Sequence, residues 1–388
     1  MVLNSNKVVL GVLKEFHSPF LNEIRSRKDI SILKVTLNNR DYITNHILNI
    51  LSNWNIPMKF YENEMIHEQN KKYLILPIGI TLILLSICMG RYSISLYDLY
   101  SLNDKAIAVF FNLRLPRIIA ALLVGGALST AGASYQGMFR NPLVSPDILG
   151  ASAGASFGVA VGILLSLNIQ TIQFFAFIFG LIAVISSWRI SRRIPHHDPS
   201  LVLVLSGMLI QGIFTSGVSL VKYICDPYDK LPAITFWLMG GLSSITLKDL
   251  KVMIVPIILG LIPLLLIRWK LNILSFPEEE AKTLGVNTDR IRIIVIICST
   301  LLSASIVSYC GIIGWVGLVI PHLTRSLFGP NYKILLPTSF IIGGLYMLLV
   351  DDLARCVFPV EVPLGILTSL IGIPFFAYLL INVRKGWI

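Results

Sequence analysis

The apolar residues of this chain come in blocks rather than in alternation. From residue 71 onward, long apolar runs are separated by short polar connections, and they centre on 73–90, 115–137, 147–166, 171–188, 200–224, 249–268, 291–312, 314–328, 335–350 and 364–383. A helix needs about 20 mostly apolar residues to cross a hydrocarbon core ~30 Å thick. In lipid it is also the local structure that satisfies its own backbone donors and acceptors. Over 71–388 the pattern therefore predicts an all-α integral membrane protein of about ten transmembrane helices. Residues 1–70 have a different texture, polar and charged, with a strand expected over 30–37 and an amphipathic helix over 41–54. So short a segment buries little core by itself, and it is set apart as a small polar extension whose role the pattern leaves open.

Three stretches break the apolar monotony in informative ways. In the first, Pro116 stands where a helix starts, because its missing N–H would be unsatisfied there anyway, with Arg114 and Arg117 at the helix entrance. Farther along, Gly150, Gly154, Gly158 and Gly162 recur every fourth residue, a ridge on which another helix backbone can come close. In the second stretch, 314–322, Gly314, Gly317, Pro321 and His322 fall within a span that is otherwise apolar. Helix breakers at membrane depth need protein or a cavity to satisfy the freed backbone, so this region is expected to be buried in protein or to line a pathway or gate. The third is the connection 272–289, with a capping-box pattern at Ser275 and Glu278, a further acid at Glu279, and Leu284-Gly285 where a helix would end. It reads as a short rigid knob suited to transmitting force to or from another protein.

Composition sharpens the class: 14% of residues are charged, against roughly 25% in an average soluble domain, and mean hydropathy is +0.76. The formal charge of +11 would suit a nucleic-acid binder if it lay on one face, but it is strung through short connections between apolar runs, so topology is its simpler cause and no nucleic-acid partner is expected. With the N-terminus inside, the larger share of the 32 Lys and Arg, including Arg189, Arg192, Arg193, Arg384 and Lys385, falls on the cytoplasmic side. Both termini, and the 1–70 extension, are thus expected in the cytoplasm of a multi-pass cell-membrane protein. The first long apolar run has no small-residue cleavage site after it and is expected to remain as the first span. The five cysteines show no C-x-x-C spacing and read as small core residues.

That topology puts Arg114, Arg117 and Arg355 at the outer face. There the inside bias for positive charge opposes them, and for Arg114 and Arg117 the helix dipole does so as well, by roughly 0.3–1 kcal/mol. Arginines kept against such effects are expected to meet an acidic partner; the other reading is snorkelling to lipid phosphates.

No G-x-x-x-x-G-K-[ST] loop occurs anywhere in the chain, so it does not cradle a nucleotide by that device. The spans hold few ionisable residues, unlike those of ion-coupled carriers. Energy is therefore expected from a partner, and no catalytic residue, cofactor or metal centre is assigned. A secondary transporter or channel for a small solute remains the alternative reading, and an integral-membrane enzyme a third.

The motifs LRLPR at 113–117, NPL at 141–143, PDILG at 146–150, GWVGLVIPH at 314–322, DDLAR at 351–355 and VPLGILTSLIGIPFF at 362–376 resemble those of the FecCD family of ATP-binding-cassette (ABC) importer permeases, which serve iron–siderophore, haem and cobalamin uptake. The resemblance covers about residues 75–385 and leaves out the N-terminal extension. It implies the type II importer permease fold, with two copies of a ten-helix subunit, or one copy and a related permease, around a central pathway in membrane lipid. It also implies two cytoplasmic ATPase subunits and an extracytoplasmic substrate-binding protein. On that basis the ATPase engages the connection bearing Ser275, Glu278, Glu279, Leu284 and Gly285, the binding protein docks at Arg114, Arg117 and Arg355, and a ferric siderophore is the expected cargo, with haem or cobalamin after it.

Overall fold

The computed structural model describes residues 3–4, 7–10, 33–35, 58–60, 63–90, 104–194, 199–274, 276, 280–281, 286–357 and 360–382. The chain divides into two compact units, Met1–Tyr73 and Leu74–Ile388.

The first unit, outside the 71–388 span for which helices were expected, contains a four-stranded sheet in the order β1-β2-β3-β4: β1 (Leu3–Asn4), β2 (Lys7–Leu10), β3 (Leu33–Val35) and β4 (Met58–Phe60). β3 falls inside the strand expected over 30–37, whereas the helix expected over 41–54 lies outside the described residues. β1 pairs antiparallel with β2, while β2–β3 and β3–β4 are parallel, with Val8 opposite Leu33 and Leu33 opposite Met58. Parallel neighbours demand a crossover of a dozen or more residues, which the intervals 11–32 and 36–57 are long enough to supply. A single apolar alternation such as that at 30–37 indicates a strand but not its neighbours, which is why the sheet was not foreseen.

The second unit is helical throughout its described elements. In chain order these are α1 (Asn63–Cys88, which begins before the unit boundary), α2 (Asp104–Val109), α3 (Leu115–Phe139), α4 (Ala151–Leu164), α5 (Ile169–Arg192), α6 (Pro199–Ile224), α7 (Lys230–Met239), α8 (Leu247–Leu274), α9 (Thr288–Cys310), α10 (Val316–Phe328), α11 (Tyr332–Cys356) and α12 (Leu364–Asn382). Six stretches are long and apolar enough to cross a membrane: Asp104–Phe139, Ile169–Arg192, Pro199–Ile224, Leu247–Leu274, Thr288–Cys310 and Tyr332–Cys356. Four shorter apolar helices, Leu76–Cys88, Ala151–Leu164, Val316–Phe328 and Leu364–Tyr378, coincide with the remaining expected runs. The pattern missed α2 and α7. α2 runs into α3 through one π turn at Phe110–Arg114, and the ten-residue α7 stops at Gly240, whose φ of 71° is easy only for glycine.

α3 and α9 form the centre, with nearly every residue of α3 buried. Small residues make this possible. A Cβ on Gly125 would lie 2.0 Å from the Gly343 carbonyl oxygen of α11, and one on Gly132 would lie 1.7 Å from the Gly317 carbonyl oxygen of α10. Helices in lipid gain association from such close approach rather than from expelling water. Several hydroxyls in the centre are satisfied locally: Ser129, Thr130 and Ser134 of α3, and Thr300 and Ser303 of α9, each donate to the carbonyl four residues back.

Candidate functional site

Three places carry chemistry. The first is one face of α6, where Gln211, Gly212, Thr215, Ser216 and Ser219 are all exposed and, with Met208, line an open depression of about 610 Å³. Gln211, Thr215 and Ser219 follow one another at i, i+4 and i+8, so they share a face. The opposite side packs inward through Val202, Leu203, Ser206, Gly207 and Ile210; a Cβ on Gly207 would meet the Ile148 carbonyl at 2.2 Å. Amide and hydroxyl groups in contact with hydrocarbon lose their hydration without compensation. A polar face on an otherwise apolar helix therefore calls for water or another polar surface opposite it. Sequence reading passed over this stripe; its signal was the four-residue spacing of the polar side chains.

The second place is the end of the bundle where α1 and α11 finish and α3 begins. Arg117 brings both its Nε and its Nη2 to 2.8 Å from the Asp351 carboxylate and also donates to Glu361. Arg355 donates to the Ser86 carbonyl (2.9 Å) and to Asp352 (Nε, 3.1 Å), and lies 3.7 Å from Asp351; Ser86 in turn donates to Asp352 at 2.8 Å. Arg114, 4% exposed, donates to the Ile87 carbonyl. The structure brings Arg114, Arg117 and Arg355 to this one end, Arg114 and Arg355 buried and Arg117 partly so, and holds them within the chain by Asp351, Asp352, Glu361 or a helix-end carbonyl. The opposition that seemed to need an external acid is met internally, and Arg117 and its principal partner are 234 residues apart.

The third place is the other end of α3. Arg140, left-handed at φ 52°, closes α3 and donates from Nε to the Leu274 carbonyl, the last residue of α8, at 2.7 Å. Asn272 donates to Asn331 (3.0 Å) and accepts from the Tyr332 amide (2.9 Å), while Arg325 donates to Gln136 (3.1 Å), whose amide reaches the Leu318 carbonyl (3.3 Å). These bonds anchor the base of the 272–289 connection. Ser275, Glu278, Glu279, Leu284 and Gly285 lie outside the described residues; of the connection itself, Glu280 and Ala281 are helical and Ala281 is fully buried. Asn287 caps α9 by accepting from the Arg290 amide at 3.0 Å. Neither Arg140 nor Asn272 was singled out from sequence; a cation just after one helix and close to the carbonyl end of another is a favourable pairing.

The glycine and breaker positions are placed as follows. Gly154, Gly158 and Gly162 abut α5, where added Cβ atoms would meet Phe179 O at 2.4 Å, Phe175 O at 2.5 Å and Ile172 at 2.9 Å. Gly150 serves otherwise, capping α4 at φ 85°. Beside it Asp147 accepts from the Ser152 hydroxyl. Gly314 has open space around it and precedes Trp315, left-handed at φ 70°, which starts α10. Gly317 sits against Pro146 and the Leu128 carbonyl, and Pro321 and His322 are buried within α10.

Residues 78–382 match the model of the FecCD transport family, and residues 1–48 match an NTPase family model. The 48 residues of the second match contain no G-x-x-x-x-G-K-[ST] sequence. The molybdate import system permease protein MolB of Haemophilus influenzae is 40% identical over 327 residues, covering 79% of this chain and 96% of that one. A probable iron chelatin transport system permease protein of Helicobacter pylori is 40% identical over 277 residues, covering 71% and 83%. Among solved structures, an inward-facing conformation of a putative metal-chelate type ABC transporter is 39% identical with a TM-score of 0.76, covering 80% of this chain and 98% of that one.

Proposed function

Because the chain belongs to the FecCD transport family and is a transport permease rather than an enzyme, we propose that it forms half of the membrane pathway of an ATP-driven importer for a metal chelate, a ferric siderophore foremost. The observation that carries this reading is the uncovered polar face of α6. Two copies, or one copy and a related permease, set face to face would close their Gln211–Ser219 stripes around a hydrated channel. An uncharged lining of amide and hydroxyl groups lets a polar solute pass without trapping it, and leaves choice of cargo to the partner that delivers it. Ten crossings follow if the four shorter apolar helices also span, with both termini in the cytoplasm.

The ATPase subunits then bear on the 275–285 connection, whose base Arg140 and Asn272 hold. A substrate-binding protein docks at the opposite end, over Arg114, Arg117 and Arg355. Since Arg117 and Arg355 already face carboxylates, docking there exchanges them: an acid of the partner displaces Glu361 from Arg117. The molybdate permease is as similar to this chain as the iron chelatin permease, which supports a small oxyanion as a second cargo.

Single cysteines at Thr215 and Ser219, in a background lacking the native five, test the pathway with a charged, membrane-impermeant thiol reagent. Labelling is expected at both and not at Ile213, which faces away from the stripe. Lipid-like protection at all three would overturn the pathway assignment. Uptake of ferric siderophore and of molybdate, each with and without ATP, then separates the cargoes, and ATP-independent uptake would favour a secondary transporter instead.

A further inference from the structure

The seam between α5 and α9 contains a slot that the transport reading does not use. Its first half is a cavity of about 380 Å³ walled by Leu181, Ile185 and Trp188 of α5 and Ile297 and Leu301 of α9, with Arg189 at its mouth. The Thr300 hydroxyl in the wall is already spent on the Ile296 carbonyl at 2.6 Å, so the interior presents no unmet polar demand. Leu301 also lines a second cavity, of about 770 Å³, that continues past Phe174, Phe177 and Val252 to Lys248, Asp249 and Lys251. The slot is therefore apolar in the middle, basic at the Arg189 end and of mixed charge at the other.

The Arg189 end is the better defined. α5 finishes there with Arg189 and Arg192 in its last turn and Arg193 as its cap, and the Arg192 guanidinium lies over the Trp188 ring, 5.1 Å from its centroid. None of the three forms an ion pair among the described residues. Asp289, one turn before Ile293 in the cavity wall, faces Arg292 at 3.9 Å, which offsets its repulsion of an anion. From Leu181 to Arg189 the helix rises ~12 Å, somewhat under half of a ~30 Å hydrocarbon core. The cavity is thus about as deep as one leaflet, with an indole and guanidiniums at the level where lipid headgroups lie.

We propose that this half of the seam is a binding site for an anionic phospholipid, one acyl chain lying in the slot and the phosphate held by Arg189 and Arg192 beside Trp188. Apolar depth accounts for the chain, and the basic turn of Arg189 and Arg192 selects an anionic over a zwitterionic head. The site is separate from the α6 face and does not depend on which cargo passes.

Quenching of Trp188 tests it. The full chain is reconstituted in phosphatidylcholine vesicles containing equal amounts of either dibrominated phosphatidylglycerol or dibrominated phosphatidylcholine, and the Trp188 signal is taken as the difference from Trp188→Phe. The brominated phosphatidylglycerol should occupy the site about fivefold more strongly for each arginine that contacts it. Arg189→Gln/Arg192→Gln should abolish the preference, and Ile297→Phe, which narrows the slot without altering charge, should weaken quenching by both lipids. Equal quenching of the wild-type protein by the two lipids, or a preference that survives the double arginine variant, would overturn the proposal. So would the absence of quenching by either lipid, the result expected if a second copy of the chain covers the seam, or loss of the signal on adding inorganic phosphate, which would assign the site to a free anion.

Discussion

The two ends of α3 solve the same problem in opposite ways. At its start, Arg117 and, across the bundle, Arg355 are answered by carboxylates, those of Asp351, Asp352 and Glu361. At its finish, Arg140 and the nearby Arg325 are answered by uncharged oxygens, the Leu274 carbonyl and the Gln136 amide. A buried ion network is closed: each charge needs its partner, and removing one strands another. A cation on a helix-end carbonyl is looser, because the carbonyl can turn to water or another donor when the cation leaves. The closed end ties α1, α3 and α11 into one piece, whereas the looser end sits at the base of the connection proposed above to meet the ATPase, where changing contacts is useful.

The largest expected effect breaks the closed end. Asp351→Ala leaves Arg117 and Arg355 short of a carboxylate and should lower stability by about 3–5 kcal/mol, read as a fall in the thermal unfolding midpoint in detergent. The paired change Arg117→Met/Asp351→Leu should restore most of the loss; a double variant as unstable as the single one would refute the view that the stranded charge is the cost.

An intermediate effect is expected at the looser end. Arg140→Ala should cost about 1.5–3 kcal/mol, and do so locally. Amide exchange around 270–276 should speed up and uptake per ATP hydrolysed should fall, while the unfolding midpoint moves less than in Asp351→Ala. Equal midpoint shifts in the two variants would erase the distinction between the ends.

The smallest change sharpens the docking proposal. Glu361 is 33% exposed, so Glu361→Gln should cost under about 1 kcal/mol. By unmasking part of the Arg117 charge it should speed association of an acidic partner and steepen its salt dependence. An unchanged on-rate at low and high salt would show that Arg117 serves the bundle alone.

Much of the helical unit was legible in the sequence because a membrane span is declared locally, by length and apolarity. Pro116 at a helix start and Asn287 at a cap act within a turn or two of themselves, and the spacing of Gly154, Gly158 and Gly162 marks a packing ridge before any neighbour is known. What acts at long range was not legible. DDLAR at 351–355 was visible as a motif, yet nothing in it names Arg117 as the partner of Asp351.

The hydroxyls show where the boundary lies. Ser129, Ser134 and Ser303 are of the same residue type as Ser216 and Ser219, and all five stand in apolar helices. The first three are buried among α3, α9 and their neighbours, while the last two lie open on α6. By itself the sequence determined that these segments are helices, since each helix closes its own hydrogen bonds. Which face is covered and which is left to water, and which carboxylate neutralises which arginine, only the tertiary structure decided, because those outcomes depend on how closely glycine-bearing backbones from distant parts of the chain approach one another.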